Sequence, residues 1–340
     1  MPTFYRKLVA ACISDSFKSA IALQEVPLKA PNANEIVIRN CFAGINAGFD
    51  TLLCRGEVPY VTLEPPFDLG VEAVGEVVAV GDAVTEFQVG DGVGTTGRGG
   101  GYREYQILPA QAATKIREVS PEVLTLMPTG VSALVALEQA GEMTSGETVL
   151  VTAAAGGTGH IAVQLALLAG NRVIAVCGSE SKANLLRSLP CTQTHPHLRI
   201  INYRHEDLDV VLRREYPSGV NLVFDCVGKH TFDTCINHLA IRGRLVVVGF
   251  ISEYANQLEA VTQPRIYHKL FWKAASVRGF LMPHYAEYFA HARDRLLEWF
   301  YNGTIHVIID PTMFHGIESI PNAVEYLLSG QSCGKVVVRF

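Results

Sequence analysis

No long run of basic residues occurs in this chain, and 33 acidic against 28 basic side chains leave a formal net charge of −5. Nucleic acid therefore meets no electrostatic footprint. The eight cysteines, Cys12, Cys41, Cys54, Cys177, Cys191, Cys226, Cys235 and Cys333, form no CxxC pair and no metal-ligand spacing. They read as reduced and buried thiols of an intracellular protein. The eleven histidines are equally dispersed, and His195 and His197 fall in a loop insertion that reads as surface. No uninterrupted apolar segment resembles a secretory signal, and charges break every apolar stretch, which speaks against a membrane span. A peroxisomal SKL-type tripeptide is absent, as are repeats and low-complexity tracts. A cytoplasmic location is the expectation. With 340 residues, 49% hydrophobic and 18% charged, two domains are expected.

The sequence is organised around residues 148–168, TVLVTAAAGGTGHIAVQLALL. Val149, Leu150 and Val151 read as a central parallel strand covered on both faces. Gly156, Gly157 and Gly159 allow a tight turn and close approach of a ligand. Ile161, Leu165 and Leu168 then recur at helical spacing and are expected to face a sheet, with Gly170 closing the helix. A helix starting at such a turn aims unpaired N–H groups and a positive dipole end at a pyrophosphate. A second strand, 172–177, ends about 20 residues on, where an acidic residue would hold a ribose 2′-hydroxyl. Cys177 stands there instead. Ser179, Lys182 and Tyr203 nearby suit a 2′-phosphate, which favours NADPH over NADH. Glu180 dissents, and Ser179 or Ser181 also reads as an ordinary helix cap.

Residues 7–128 are mostly short strands separated by Gly, Pro, Asn and Asp, a largely β domain. Within it, residues 77–84 read as a hairpin-like turn at Gly81 and Asp82. Ser120 is a candidate cap with Pro121 at the first helical position, and a helix is expected over 129–139. Strands and helices then alternate through residue 303, giving an α/β fold with a doubly wound six-stranded parallel sheet. Residues 304–340, with a strand at 306–309, a helix at 320–328 and a terminal strand at 335–340, are too few to stand alone. They are expected to rejoin residues 1–128, so that 129–303 form an inserted Rossmann domain and the cleft between domains holds substrate.

The motifs AGINAGFD at 43–50, PPFDLGVEAVGEVVAVGDAV at 65–84, AAAGGTGHIAVQLA at 153–166, FDCVG at 224–228, GRLVVVGFIS at 243–252 and CGKVVV at 333–338 together resemble the medium-chain dehydrogenase/reductase superfamily, specifically its zinc-free enone and quinone reductases. The resemblance implies a GroES-like domain around the Rossmann domain, NADPH as cofactor and a homodimer formed through the edge of the nucleotide sheet. Zinc ligands of the metal-dependent members fall at Asn46, Val71 and near Pro128, none of which binds zinc, and 91–105 lack the cysteines of the structural-zinc lobe. Glu72 then reads as a structural acceptor.

The implied activity is reduction of the carbon–carbon double bond of α,β-unsaturated ketones, with a lipid-derived enone such as a 15-oxoprostaglandin as substrate. A quinone reductase and, from another class, a non-catalytic nucleotide-binding or structural protein stand as alternatives. No Tyr-x-x-x-Lys pair follows the nucleotide motif, which disfavours a short-chain carbonyl reductase. Double-bond reduction needs a donor for the developing enolate, and Tyr60 and Tyr254 are the candidates beside the cofactor's own ribose hydroxyl. Carried over by motif, Asn46 and Ser132 approach the nicotinamide and its phosphate. Gly156, Gly157, Thr158 and Gly159 cover the pyrophosphate, and Ser179, Lys182 and Tyr203 gather the 2′-phosphate. Cys226 and Val227 line the adenosine side; Val248, Gly249 and Tyr254 meet the nicotinamide ribose. Phe280, Leu281 and Met282 form a closing loop, and Ser332 meets the cofactor from the C-terminal segment.

Overall fold

A computed structural model describes residues 1–59, 61–194, 196–254, 260–261 and 264–340. The chain forms two compact units, Met1–Pro128 with Ile309–Phe340, and Thr129–Ile308. The chain re-enters the first unit at Ile309, beyond residue 304 where the sequence pattern put the boundary.

In Thr129–Ile308 six parallel strands lie in the order Leu198–Asn202, Arg172–Cys177, Thr148–Val151, Val220–Asp225, Leu239–Val247, Ser276–Gly279. Thr148–Val151 is buried at every residue, with Val149 opposite Val173 on one side and Leu222 on the other. Successive strands step outward from it first one way and then the other, which leaves a topological switch point beside its C-terminal end. Leu150, Ile174, Ile201, Val223 and Leu245 form the core.

The helix Gly159–Leu168 departs from the single apolar face read in the sequence. His160 and Gln164 are buried together with Ile161 and Leu165, while Leu168 is 39% exposed. The helix is covered on two sides: it packs on the sheet and on helix Val131–Val135. Internal bonds satisfy its buried polar groups, Gln164 Nε2 donating to the His306 carbonyl at 2.7 Å and Gln164 Oε1 accepting from His306 N–H at 2.9 Å. Those bonds also keep 306–308 out of the strand expected there; only Ile309 bridges, to Lys335.

Unit Met1–Pro128 with Ile309–Phe340 carries a twisted sheet ordered Phe314–His315, Val337–Arg339, Glu35–Gly44, Glu72–Val80, Gly92–Thr96, Ala113–Lys115, with Tyr105–Pro109 also on Glu35–Gly44. A three-stranded sheet joins Ile21–Pro27, Phe4–Ala10 and Phe67–Asp68. Ile36, Ile38, Val77 and Val93 fill one core, and Leu8, Ile45, Leu69, Tyr102, Ile320, Val324 and Val338 another. A turn does form at Gly81 and Asp82, where Val84 N–H donates to the Gly81 carbonyl at 3.0 Å, but the residues flanking it do not pair as a tight hairpin. Glu72–Val80 runs on to Val80 in antiparallel register with Glu35–Gly44, and a Cβ at Gly81 would overlap the carbonyl oxygens of Asn32 and Ala33. Gly81 serves that close approach.

Ser120 Oγ accepts from Val123 N–H at 3.3 Å and caps the helix that starts at Pro121. The helix expected from Pro121 and the one expected over 129–139 are one continuous run, which extends to Ala140 with π-helical turns at Leu126–Gly130 and Ala136–Ala140. The first π turn holds Pro128, whose ring nitrogen has no N–H to give an ordinary turn. Pro121–Ala140 is long and apolar enough to cross a bilayer, but 83% of its most apolar window is buried inside the protein.

Candidate nucleotide site and a buried polar cluster

Between Thr148–Val151 and Gly159–Leu168 the backbone turns back on itself through Ala153, at φ +46°. Gly156 N–H donates to the Ala153 carbonyl at 2.9 Å, and a Cβ at Gly159 would overlap that same carbonyl oxygen. His160 braces the turn from beneath. Its Nε2 accepts the Ile308 N–H at 3.0 Å, so the ring proton sits on Nδ1, which donates to the Gly156 carbonyl at 2.8 Å. Burial lowers the His160 pKa to about 4 and keeps the ring neutral. Thr158 occupies the N-cap position and its side chain makes no capping bond. His160 N–H is taken by the Gly156 carbonyl at 3.1 Å, so the N–H groups a helix start offers an anion are here those of Gly159 and of the turn before it.

Beside the turn lies the corner read as a 2′-phosphate pocket. Ser179 Oγ accepts from Lys182 N–H at 3.2 Å and shares a 2.9 Å bond with Ser181 Oγ, capping helix Glu180–Ser188. Glu180 is taken up by Arg187 at 2.6 Å, which holds its carboxyl below the usual range. Tyr203 N–H donates to the Cys177 carbonyl at 3.0 Å. The 57% exposed tyrosine lies over the bare backbone of Gly178, where a Cβ would come within 2.5 Å of its hydroxyl. Arg204, which sequence reasoning missed, is exposed next to Tyr203 and has no ion pair among the described residues. Its adjacency to Tyr203 at a strand end was the available signal.

The turns after Val220–Asp225 and Leu239–Val247 are stitched together. Val248 and Gly249 donate to the Asp225 carbonyl, Ile251 to that of Cys226, and Ser252 Oγ to that of Val227 at 2.6 Å. Asp225, itself buried, accepts from Thr152 Oγ1 at 2.7 Å and Val227 N–H at 3.0 Å. Cys226, Val227, Val248 and Gly249 thus share one rim. Tyr254 joins them, its hydroxyl accepting the Phe250 N–H at 3.1 Å and its ring 4.6 Å from that of Phe250. Burial pushes the Tyr254 hydroxyl up to about 12 and that of the Cys226 thiol higher still. Ser132 Oγ donates to Met282 Sδ at 3.1 Å, and buried Phe280 continues the backbone bonding through its N–H to Val247. Leu281 lies between them, half-buried. Tyr60 lies outside the described residues.

Asn46 and Ser332 belong to the first unit. Ser332 is half-buried, on a loop pinned where Asp310 Oδ2 accepts from Cys333 N–H at 2.6 Å. Asn46 sits at a buried polar cluster. Lys335 Nζ donates to Glu72 Oε1 at 2.5 Å, Asn46 Oδ1 at 3.1 Å and the Ile45 carbonyl at 3.2 Å, while Asn46 Nδ2 donates to Glu72 Oε1 at 2.6 Å. Next to it Tyr102 donates to Asp50 Oδ2 at 2.5 Å, both wholly buried. Burial pushes the Asp50 carboxyl up to about 7.

The nucleotide unit fits a phosphorylated dinucleotide: its turn bars side chains where a pyrophosphate needs backbone amides, and Glu180, the acid that follows Ser179, is paired with Arg187. The positions read as those of zinc ligands do not suit zinc. Asn46 and Val71 are not zinc ligands, Glu72 already holds an ammonium, and among the described residues no three His, Cys, Asp or Glu side chains cluster to hold a metal.

These features define a two-unit α/β oxidoreductase. The family described as zinc-binding dehydrogenase matches residues 157–310 and the alcohol dehydrogenase GroES-like domain matches 32–118. The chain is 40% identical to prostaglandin reductase-3 of Mus musculus, over 100% of this chain and 90% of that one. It is 30% identical to a 2-alkenal reductase (NADP(+)-dependent) of Nicotiana tabacum, over 92% and 90% of the two chains. Escherichia coli quinone oxidoreductase complexed with NADPH superimposes with a TM-score of 0.81 at 25% identity, over 98% of this chain and 100% of that chain. The chain belongs to the medium-chain dehydrogenase/reductase superfamily.

Proposed function

We propose that this protein is an NADPH-dependent, zinc-independent reductase of the carbon–carbon double bond of α,β-unsaturated ketones, with 15-oxoprostaglandins among the substrates. The observation that carries the reading is the phosphate corner: a strand ending in Cys177 instead of a carboxylate, Glu180 silenced by Arg187, and Lys182, Tyr203 and Arg204 around them. The prostaglandin and alkenal reductases among the relatives support the acceptor class. A quinone is the second acceptor, supported by the likeness to the bacterial quinone oxidoreductase.

Bound NADPH supplies the hydride. The chain's own part is to hold the nucleotide and to stabilise charge that develops on the acceptor oxygen. Gly156, Gly157, Thr158, Gly159 and the helix N-terminus take the pyrophosphate; Ser179, Lys182, Tyr203 and Arg204 take the 2′-phosphate. Cys226, Val227, Val248 and Gly249 line the path between, and Asn46, Ser132, Phe280, Leu281, Met282 and Ser332 meet the nicotinamide end. Tyr254 and Tyr60 are the candidate donors to the enolate oxygen. Tyr254 stays protonated at neutral pH because its environment disfavours the phenolate, which is the state a donor needs. No Lewis acid is required by this chemistry.

A homodimer acting in the cytoplasm completes the reading. Ser276–Gly279 is the outer strand of the parallel sheet, bonded among the described residues to Leu239–Val247 alone. The segment leading into it exposes Tyr267 at 69%, Phe271 at 74% and Trp272 at 80%, an apolar face that a second copy would cover. Burial of Pro121–Ala140 is in keeping with work in water. NADPH consumption with an enone, a quinone and a simple ketone, with product analysis, tests the reaction. Saturation of the enone supports it; turnover of the quinone alone favours the second acceptor, and no turnover favours a binding protein. A monomer mass by light scattering overturns the dimer.

A further inference from the structure

Asn46 stands at the N-cap of helix Ala47–Cys54, a position where asparagine ordinarily turns its side chain onto the helix's own N–H groups. Here it makes no such bond. Its carboxamide is drawn instead to two buried charges: Oδ1 accepts from the Lys335 ammonium and Nδ2 donates to the Glu72 carboxylate. An ammonium only donates and a carboxylate only accepts, so the flipped amide would face a donor with a donor and an acceptor with an acceptor. One orientation survives. The partners are themselves fixed. Lys335 and Glu72 are almost wholly buried, Nζ donates to three described acceptors, and Glu72 Oε1 lies against Gly44, where any Cβ would overlap it. Asn46 itself is only half-buried, and its second Nδ2–H has no acceptor among the described residues.

We propose that Lys335 and Glu72 are positioning residues: they form a charge-locked clamp that sets the carboxamide of Asn46 so that its remaining N–H points at a carbonyl oxygen of the bound reactants. The inference rests on the reading that Asn46 meets those reactants, and it goes beyond that reading in assigning the two buried charges a role in it. The carbonyl belongs either to the nicotinamide carboxamide or to the enone. A donor pre-oriented in a water-poor site acts without reorganisation cost. Nothing else in the helix needs this arrangement, since a capping asparagine would satisfy more backbone.

The test is a double-mutant cycle between Asn46→Ala and Lys335→Met on the full chain. It is read by kcat and KM with NADPH and an enone, by the NADPH dissociation constant from cofactor fluorescence, and by Tm. Should Lys335→Met fail to fold, Glu72→Gln takes its place. Asn46→Ala is expected to cost about a hundredfold in kcat/KM or in NADPH affinity, and loss of either clamp charge about tenfold. The double variant should be no worse in function than Asn46→Ala, and Tm, in which residues in contact need not add, serves to show that each variant is folded. A weakened NADPH dissociation constant identifies the nicotinamide carbonyl, and an unchanged one with reduced kcat/KM identifies the enone. Functional losses that multiply, or an Asn46→Ala variant matching the parent in both affinity and turnover, overturn the clamp. A parent protein that turns over neither enone nor quinone defeats the reductase reading instead, and the cycle is then decided on NADPH dissociation constants alone.

Discussion

The imidazole of His160 joins the Gly156 carbonyl, on the turn over which the pyrophosphate is proposed to lie, to the Ile308 N–H at the last residue of the nucleotide unit, through bonds of 2.8 and 3.0 Å. Only the neutral ring does both, since a protonated Nε2 would face a donor. The folded pKa, near 4, lies below the unfolded value of about 6.5. The unfolded chain therefore binds the proton first as pH falls. His160's contribution is fully present above pH 6.5 and is lost between there and pH 4, by roughly 3 kcal/mol. Denaturant midpoints followed from pH 7.5 to 4.5 should drop for the parent chain and drop less for His160→Gln.

Asp50 pulls the other way. Burial raises its carboxyl to about 7, above the unfolded 3.9 or so, so the folded state binds the proton first. The charged form is tolerated at a cost above pH 7, and stability rises as pH falls from there toward 4. Asp50→Asn keeps an acceptor for Tyr102 and abolishes the ionisation. The variant should exceed the parent in stability at pH 8 by about 1–3 kcal/mol and lose that lead by pH 5. Urea melts at the two pH values decide it; an equal difference at both would mean Asp50 does not titrate in this window.

Much of the nucleotide unit was legible because its signals are local. Apolar runs of four to six residues mark the strands, Gly156 to Gly159 mark the turn, and Ser120 before Pro121 marks a helix start that the structure bears out. What stayed hidden depends on partners far away in sequence. Helical spacing alone could not show that Leu168, at the helix end, is exposed while His160 and Gln164 are buried, because the partners of the latter two are at Ile308 and His306. Nor could it pair Lys335 with Glu72, 263 positions apart. Glu72 was read correctly as an acceptor, but its donor was invisible.

Lys182→Ala should raise the NADPH dissociation constant about tenfold and leave that for NADH nearly unchanged, since one charge-assisted contact to phosphate is worth about 1.5–3 kcal/mol. Arg204→Ala should act in the same direction. Isothermal titration with both nucleotides checks each variant. NADPH affinity unaffected by both would remove the 2′-phosphate from this corner.

Two glycines separate the demands of the turn from those of the phosphate corner. At Gly159 an added methyl meets the Ala153 backbone carbonyl, which cannot move without unmaking the turn. Gly159→Ala should therefore depress binding of NADPH and NADH alike and lower Tm. At Gly178 the methyl meets only the tip of the Tyr203 side chain, which lies on the surface and can rotate away. Gly178→Ala should keep its Tm within a degree or two, bind NADH as the parent does, and lose affinity for NADPH alone by several-fold, as Tyr203→Ala should. Gly279, where a methyl meets nothing within 4 Å, supplies the control. Titrations of the three variants with both nucleotides distinguish the cases, and a Gly178→Ala protein that loses NADH as well would place the adenosine ribose, not the phosphate, against Tyr203.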